Sequence, residues 1–214
     1  MARAFSEIAF TPAVRATQTA QGSADGYAKF LAPEADRGDR LSDREIDFIT
    51  ARDGFYQATV SETGWPYVQF RGGPRGFVKI LADRTIAYAD FRGNRQYLSV
   101  GNLVDNDRVS LILMDYPNRR RLKVWGRAKL VDASDNPELV ATLHVDGYRA
   151  PPERAIIITV EAYDWNCPQH IPQRLTRAEF EPQLSPLREE IARLTAENRD
   201  LKALLETDRS KPNS

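Results

Sequence analysis

The chain has 214 residues, 42% of them hydrophobic, with 30 Lys plus Arg balanced by 30 Asp plus Glu and a single cysteine. That length suits one domain, or one with an appendage, and the apolar share is enough for a buried core. Zero net charge argues against a nucleic-acid protein held by bulk phosphate attraction, and one cysteine excludes an internal disulfide and fits a reducing compartment.

Residues 1–40 open with MARAFSEIAF, which lacks the apolar centre of a secretory signal. Residues 1–22 are small and polar with no clear period, the pattern of a loosely held arm, and SADGYAKFLAP fits a short helix ending before Pro33. LSDREIDFITARDG reads as a helix. Ser42 and Glu45 form a capping box, Ile46 and Ile49 share a face, and Gly54 is placed as the stop. The period then changes to two. FYQATV and WPYVQF flank a hairpin at Glu62–Gly64, and GFVKIL and TIAYAD flank another at Ala82–Arg84. RVSLILM is apolar on both faces, as a central strand would be. RLKVWGRAKLV alternates, with Leu122, Val124, Ala128 and Leu130 on one side. A helix at DNPELVATLHV, capped by Asn136 with Pro137 first, precedes AIIITVEAYDW, where Ile156, Ile158 and Val160 share a side. Seven strands and few helices predict a mainly β fold, an antiparallel barrel or sandwich with peripheral helices.

From Leu184 the pattern becomes heptad. Leu184, Ile191, Asn198 and Leu205 take one core position; Leu187, Leu194 and Leu201 take the other. A single core Asn favours a parallel, in-register pair, with Glu197 and Lys202 flanking. The other reading is an amphipathic helix packed on its own barrel. The expected divisions are an arm at 1–40, a barrel at 41–181, a coiled-coil helix at 182–207 set off by Pro182 and Pro186, and a disordered tail at 208–214. No run of about 18 apolar residues offers a membrane span, so a cytoplasmic protein without nucleic-acid or membrane partners is expected.

Four stretches carry possible chemistry. VQFRGGPRGFVKIL clusters Arg71, Arg75 and Lys79 among glycines that let a ligand approach the backbone, and arginine grips phosphate with paired bonds. It reads equally as a Gly-rich hairpin with solvated charges. In DFRGNRQYLSVGNL, Asn94 is a good N-cap, and Arg95 and Ser99 lie four apart, so free helical N–H groups would face an anion. The sequence is neither a Walker loop nor a dinucleotide GxGxxG, and a plain capped turn is the alternative. YPNRRRLKVW brings Arg119, Arg120 and Arg121 to a strand start, as a solvated turn or an anion wall. DWNCPQHIPQR spaces Cys167 and His170 as Cys-x-x-His. With two His and one Cys in the chain, no zinc set can be completed from them, so no metal site is expected. Trp165 and His170 suit a planar ligand or a structural turn.

In this order, the pieces resemble the pyridoxamine 5'-phosphate oxidase-like family of FMN-binding split barrels, from about Leu41 to Arg174. The GNR…S.GNL..N.RVSL segment with the G.A.L strand is the most specific part. The resemblance implies a homodimer with FMN between subunits, and a flavoprotein oxidoreductase acting on a small organic molecule. It implies that Phe77, Val78 and Lys79 run along the ring, that Arg95 binds the phosphate, and that Tyr88 and Asp90 end the cofactor-facing strand. Gln96 stands where the vitamin B6 oxidases carry lysine, and Arg121 where the family has glutamine, so Arg71 or Arg75 is expected to restore the phosphate charge. The Arg-x-His segment that holds substrate phosphate in those oxidases has no counterpart, which puts pyridoxamine phosphate itself in doubt. The alternatives are a flavin-holding dimer without turnover, serving as a sensor or docking to a coiled-coil partner, or a barrel that takes deazaflavin or haem.

Overall fold

The computed structural model describes residues 3–33, 37–165 and 168–209, with side chains as far as Leu204. The chain divides into two units, Met1–Ile171 and Pro172–Ser214. In the first, strands β1 (Gly54–Val60), β2 (Pro66–Gly72), β3 (Val78–Ala82), β4 (Thr85–Phe91), β5 (Arg108–Asp115), β6 (Arg120–Asp132) and β7 (Pro152–Trp165) form one sheet. Their order is β2-β1-β5-β6-β7-β4-β3, and all neighbours run antiparallel. The seven strands fall where the sequence patterns predict them.

β2 and β3 are the two edges and share no ladder. The sheet nevertheless curls round its own core. Phe55 of β1 stacks on Phe77, just ahead of β3, at 5.8 Å and meets the ring of Tyr88 in β4 at 5.2 Å. The result is a mainly β split barrel with peripheral helices. β6 and β7 carry the interior, with Leu122, Val124, Ile156, Ile158 and Val160 fully buried. A register shift follows Trp125, and there the strands approach closely enough that a Cβ on Gly126 would lie 2.5 Å from the Thr159 carbonyl oxygen. β5 is not apolar-buried on both sides as expected. Val109, Leu111 and Leu113 are buried while Ser110, Ile112 and Met114 are only half so, because only one face of a curled sheet looks inward.

The helices pin this sheet. α1 (Ala4–Ala9) and α2 (Pro12–Ala20) replace the loose arm expected for 1–22, while α3 (Ala24–Tyr27) and a 3-10 turn at Ala28–Phe30 fall where a short helix before Pro33 is expected. Thr11 accepts from the Val14 N–H, Pro12 opens α2, and Ser6 Oγ donates to the Phe30 carbonyl at 2.7 Å. Rings of Phe5, Phe10, Tyr27 and Phe30 pack together, and Phe5 reaches Trp125 of β6 at 5.2 Å. Those contacts join residues far apart in the chain, so no local period betrays them. α4 (Asp43–Thr50) has the expected capping box, with Ser42 N and Oγ on Glu45 Oε2 at 3.1 and 2.5 Å. Its C-cap is Ala51; Gly54 opens β1 instead, where a Cβ would strike the Phe70 ring. α5 (Leu98–Asp105) follows β4. α6 (Pro137–Leu143) has Asn136 Oδ1 accepting from the Leu139 N–H at 3.0 Å.

The second unit is built on α7 (Arg177–Arg209). It starts five residues before the expected 182. Thr176 and Glu179 form a reciprocal cap, with Thr176 N on Glu179 Oε2 at 2.9 Å and Glu179 N on Thr176 Oγ1 at 3.3 Å. That cap places Pro182 and Pro186 inside the helix rather than before it. Residues 208 and 209 are helical too, and 210–214 of the expected tail lie outside the described residues. No helix among the described residues is long and apolar enough to cross a membrane.

Candidate functional site

The strand alternation of β2 turns Gln69 and Arg71 toward one side, and the β4–β7 ladder sets Asp90 opposite Arg154. These residues meet at two adjoining cavities of about 290 and 220 Å³, both lined by Gln69, Arg71, Asp90, Phe91 and Gly93. The larger continues to Asn94, Arg95, Tyr97 and Ser99, and the smaller to Phe77, Tyr88 and Tyr148. One end of the cleft is therefore polar and the other aromatic.

Asp90 is the hub. It is buried, and its two oxygens accept from Arg71 at 2.5 Å and from Arg154 at 2.7 Å. Arg154 is held further by Asp132 at 3.0 Å and lies over the Tyr97 ring. Arg71 is almost buried, yet its Nε finds no acceptor among the described residues. Buried N–H groups normally have a partner, whether a protein group or water, so this donor is open to an acceptor that enters the cleft. Three arginines (Arg71, Arg92 and Arg95) line the cleft against two carboxylates, Asp90 and Glu153, and Asp90 is already shared. The surplus is positive, as an anion site requires.

Tyr88 donates to Gln57 Oε1 at 2.6 Å. Burial pushes its phenol well above the ordinary range, and the Arg71 cation opposes this without reversing it. The hydroxyl is thus protonated near neutrality, with its hydrogen bond committed to Gln57. Ser99, at the start of α5, is buried and donates to Gln69 Oε1 at 3.0 Å.

The loop before α5 differs from the expected cap. Asn94 does not cap the helix; its Oδ1 accepts from the Gln96 N–H at 3.2 Å in a local turn. Arg95 and Tyr97 take left-handed φ values of 62° and 53°, so helical geometry cannot begin until Leu98. Arg95 and Ser99 are consequently not on one helical face, although the loop brings both to the same cavity.

The other sequence candidates lie elsewhere. Arg75 is exposed in the β2–β3 loop and lines neither cavity; Val78 is in the core, and Lys79 is half-buried on β3, also outside the lining. Gln96 is exposed. Arg121, on β6, has a buried Nε with no partner among the described residues but does not line the cleft. Trp165 donates to Glu45 Oε1 at 2.6 Å, packs edge-on against Phe48, and carries Arg44 over its face at 4.3 Å. Its ring therefore staples β7 to α4. His170 is exposed, with φ 64°, outside both cavities. Cys167 lies outside the described residues. Among those described, no three His, Cys, Asp or Glu side chains gather as a metal set.

Gln69, Tyr97, Glu153 and Arg154 belong to the site and are missed by sequence reading. Gln69 was accessible in principle, since it is two residues from Arg71 on one strand face. Arg154 was not: only the β4–β7 register brings it to Asp90.

A family model described as pyridoxamine 5'-phosphate oxidase matches residues 41–167, more than half of the chain. Similar solved structures include HupZ of Group A Streptococcus (18% identity, 63% of this chain and 99% of that one, TM-score 0.48). An FMN-binding protein of Syntrophomonas wolfei matches at 13% identity over 58% and 88% of the two chains, TM-score 0.45. General Stress Protein 26 of Bacillus anthracis matches at 15% identity over 56% and 88%, TM-score 0.43. Likeness at this level fixes no activity. No curated protein sequence matches the chain.

Proposed function

The chain belongs to the pyridoxamine 5'-phosphate oxidase family, a flavin-binding fold, and on that premise we propose that it is an FMN flavoprotein acting as an oxidoreductase on a small organic substrate. The observation that carries the reading is the Arg71 guanidinium, locked by Asp90 at one nitrogen while its buried Nε is left to an incoming acceptor. Arg71 and Arg95 suit a phosphate by charge and hydrogen bonding, and Ser99 lines the same cavity with its hydroxyl given to Gln69. Arg71 fills the deficit left by Gln96; Arg75, exposed and outside the cleft, does not. The aromatic end, with Phe77 and Phe91, suits the flavin ring. Bound FMN would supply a two-electron acceptor, so the protein's work is to bind, orient and shield.

The reading includes a homodimer with FMN between subunits. Tyr56, Val68 and Phe70 form an exposed apolar strip on the outer face of β1 and β2, which supports burial against a second copy. Arg121 is then the candidate that one subunit contributes to the other's cofactor. The lone cysteine supports placement in the cytoplasm.

A second reading has its own support. No His or Cys lines the cleft among the described residues, and the Tyr88 hydroxyl is buried and engaged with Gln57. A dimer that holds FMN, deazaflavin or haem without turnover, as a sensor or docking module, needs no proton donor. The visible spectrum of the purified protein separates these. Flavin bands near about 375 and 450 nm support FMN, and reduction by NADH or NADPH with reoxidation by an acceptor supports catalysis. A colourless protein that refuses added FMN sinks the flavin reading.

A further inference from the structure

We propose that α7 pairs with a second copy of itself as a parallel, in-register, two-stranded coil over residues 184–205. The inference stands independently of the flavin reading. Leu187, Ile191, Leu194 and Leu201 are between 47% and 64% exposed along one face of the helix. With Asn198 between the last two, they alternate in steps of four and three, a stripe suited to a like helix and narrower than the face a helix needs to cover a sheet.

Asn198 selects the occupant. It interrupts the apolar stripe at the fifth of its seven core positions, and a carboxamide carries both donor and acceptor. In a parallel pair at equal height, each Asn198 meets its own counterpart and both are satisfied. A slip of one heptad sets it against Ile191 or Leu205, and an antiparallel pair sets it against the leucine row; either leaves a buried amide without a partner. A different protein would need its own asparagine at that one level.

The flanking charges agree. In the parallel register Glu197 adjoins Lys202 of the partner subunit, and Gln183 adjoins Arg188 of the partner subunit. Within one chain Glu197 accepts from Arg193 at 3.1 Å, but Arg193 is also gripped twice by Glu190, at 2.9 and 2.8 Å. Glu197 can therefore turn to the partner without stranding Arg193. Leu204, 67% exposed, adds apolar surface beside the seam at its far end. Three heptads are marginal alone, so pairing is strongest where another interface already holds two copies together.

The test uses the full-length protein with Cys167→Ser and one added cysteine, oxidised with diamide. Leu201→Cys, facing the seam, is expected to form a disulfide-linked dimer at least about tenfold faster than Ala196→Cys on the outer face. Ile191→Asp with Leu194→Asp is expected to abolish that difference while circular dichroism shows the β unit still folded. Equal rates at 201 and 196 would overturn the proposal. So would the absence of dimer in the pure protein, the result if the partner were a different protein. A mixed disulfide between Leu187→Cys and Leu201→Cys chains would overturn the parallel register.

Discussion

Arg95 is the phosphate ligand that the resemblance implies and lines the larger cavity, whereas Arg75, a candidate for the missing charge, lines neither, so Arg95→Ala is the sharpest perturbation. Arg95 lines the larger cavity and makes no hydrogen bond or ion pair to other described residues. Its loss therefore removes a ligand contact without unpicking the fold. Alanine tolerates the left-handed backbone at φ 62° no worse than arginine does. A charge-assisted hydrogen bond to phosphate contributes about 1.5–3 kcal/mol. Since about 1.4 kcal/mol is tenfold, this predicts FMN binding roughly 10- to 150-fold weaker. Arg95 is exposed, so screening sets the expectation at the lower end, about tenfold. Titration following the quenching of FMN fluorescence reads the change directly, with Arg75→Ala alongside as the control that leaves Kd unchanged. Weakened binding in Arg75→Ala with wild-type binding in Arg95→Ala would refute the assignment of the polar end of the cleft.

Further outcomes follow from the packing. Asp115 is buried, and although burial alone would raise its pKa, hydrogen bonds from Asn118 and Arg120 and the Arg52 charge hold it below the ordinary carboxylate range. A depressed folded value stabilises above the unfolded pKa of about 3.9 and loses that contribution as pH falls through the folded one. Asp115→Asn is thus expected to cost about 3 kcal/mol at pH 7 and little in acid, as measured by urea unfolding at both. Asp164 goes the other way: burial raises its pKa despite Lys123, Arg3 and Arg121, so ionisation weakens the fold at neutral pH. Asp164→Asn should raise the melting temperature at pH 7 and not below about pH 3.9; a drop at pH 7 contradicts the assignment. Gly126→Ala, meeting the Thr159 carbonyl oxygen at 2.5 Å and Ile158 Cγ2 at 2.8 Å, is expected to cost about 1–3 kcal/mol, read as a lowered urea midpoint at unchanged slope.

What the sequence made legible was local. Period-two patterns located six of the strands and a continuous apolar run the seventh, β5, and the Ser42–Glu45 and Asn136–Pro137 signals located α4 and α6, because strand patterning and capping depend on residues close to one another in sequence. The curl that joins β1 to β4, and the ring cluster binding residues 5–30 to Trp125, depend on contacts between distant residues that leave no local trace. The same division runs through the site. Arg71, Arg95 and Ser99 were named from nearby patterns and Asp90 from the family resemblance, and all four line the cleft. Arg154 and Glu153 come from β7 and are visible only once the ladder is formed. Asn94 misled for a physical reason: Asn both caps helices and makes local turns, and two left-handed residues after it chose the turn.

The two prolines of α7 have a mechanical consequence. Each lacks the N–H that would bond four residues back, so Pro182 leaves the carbonyl of Ala178 without its helical donor, and Pro186 leaves that of Pro182. The gaps are one turn apart and fall on the same side of the rod. Two bends in the same direction add, where bends on opposite sides would cancel. The opening turns of α7 are therefore its compliant stretch, and the heptads beyond Leu187 its stiff one. Moving the second proline half a turn along would straighten the axis while leaving the number of missing bonds the same.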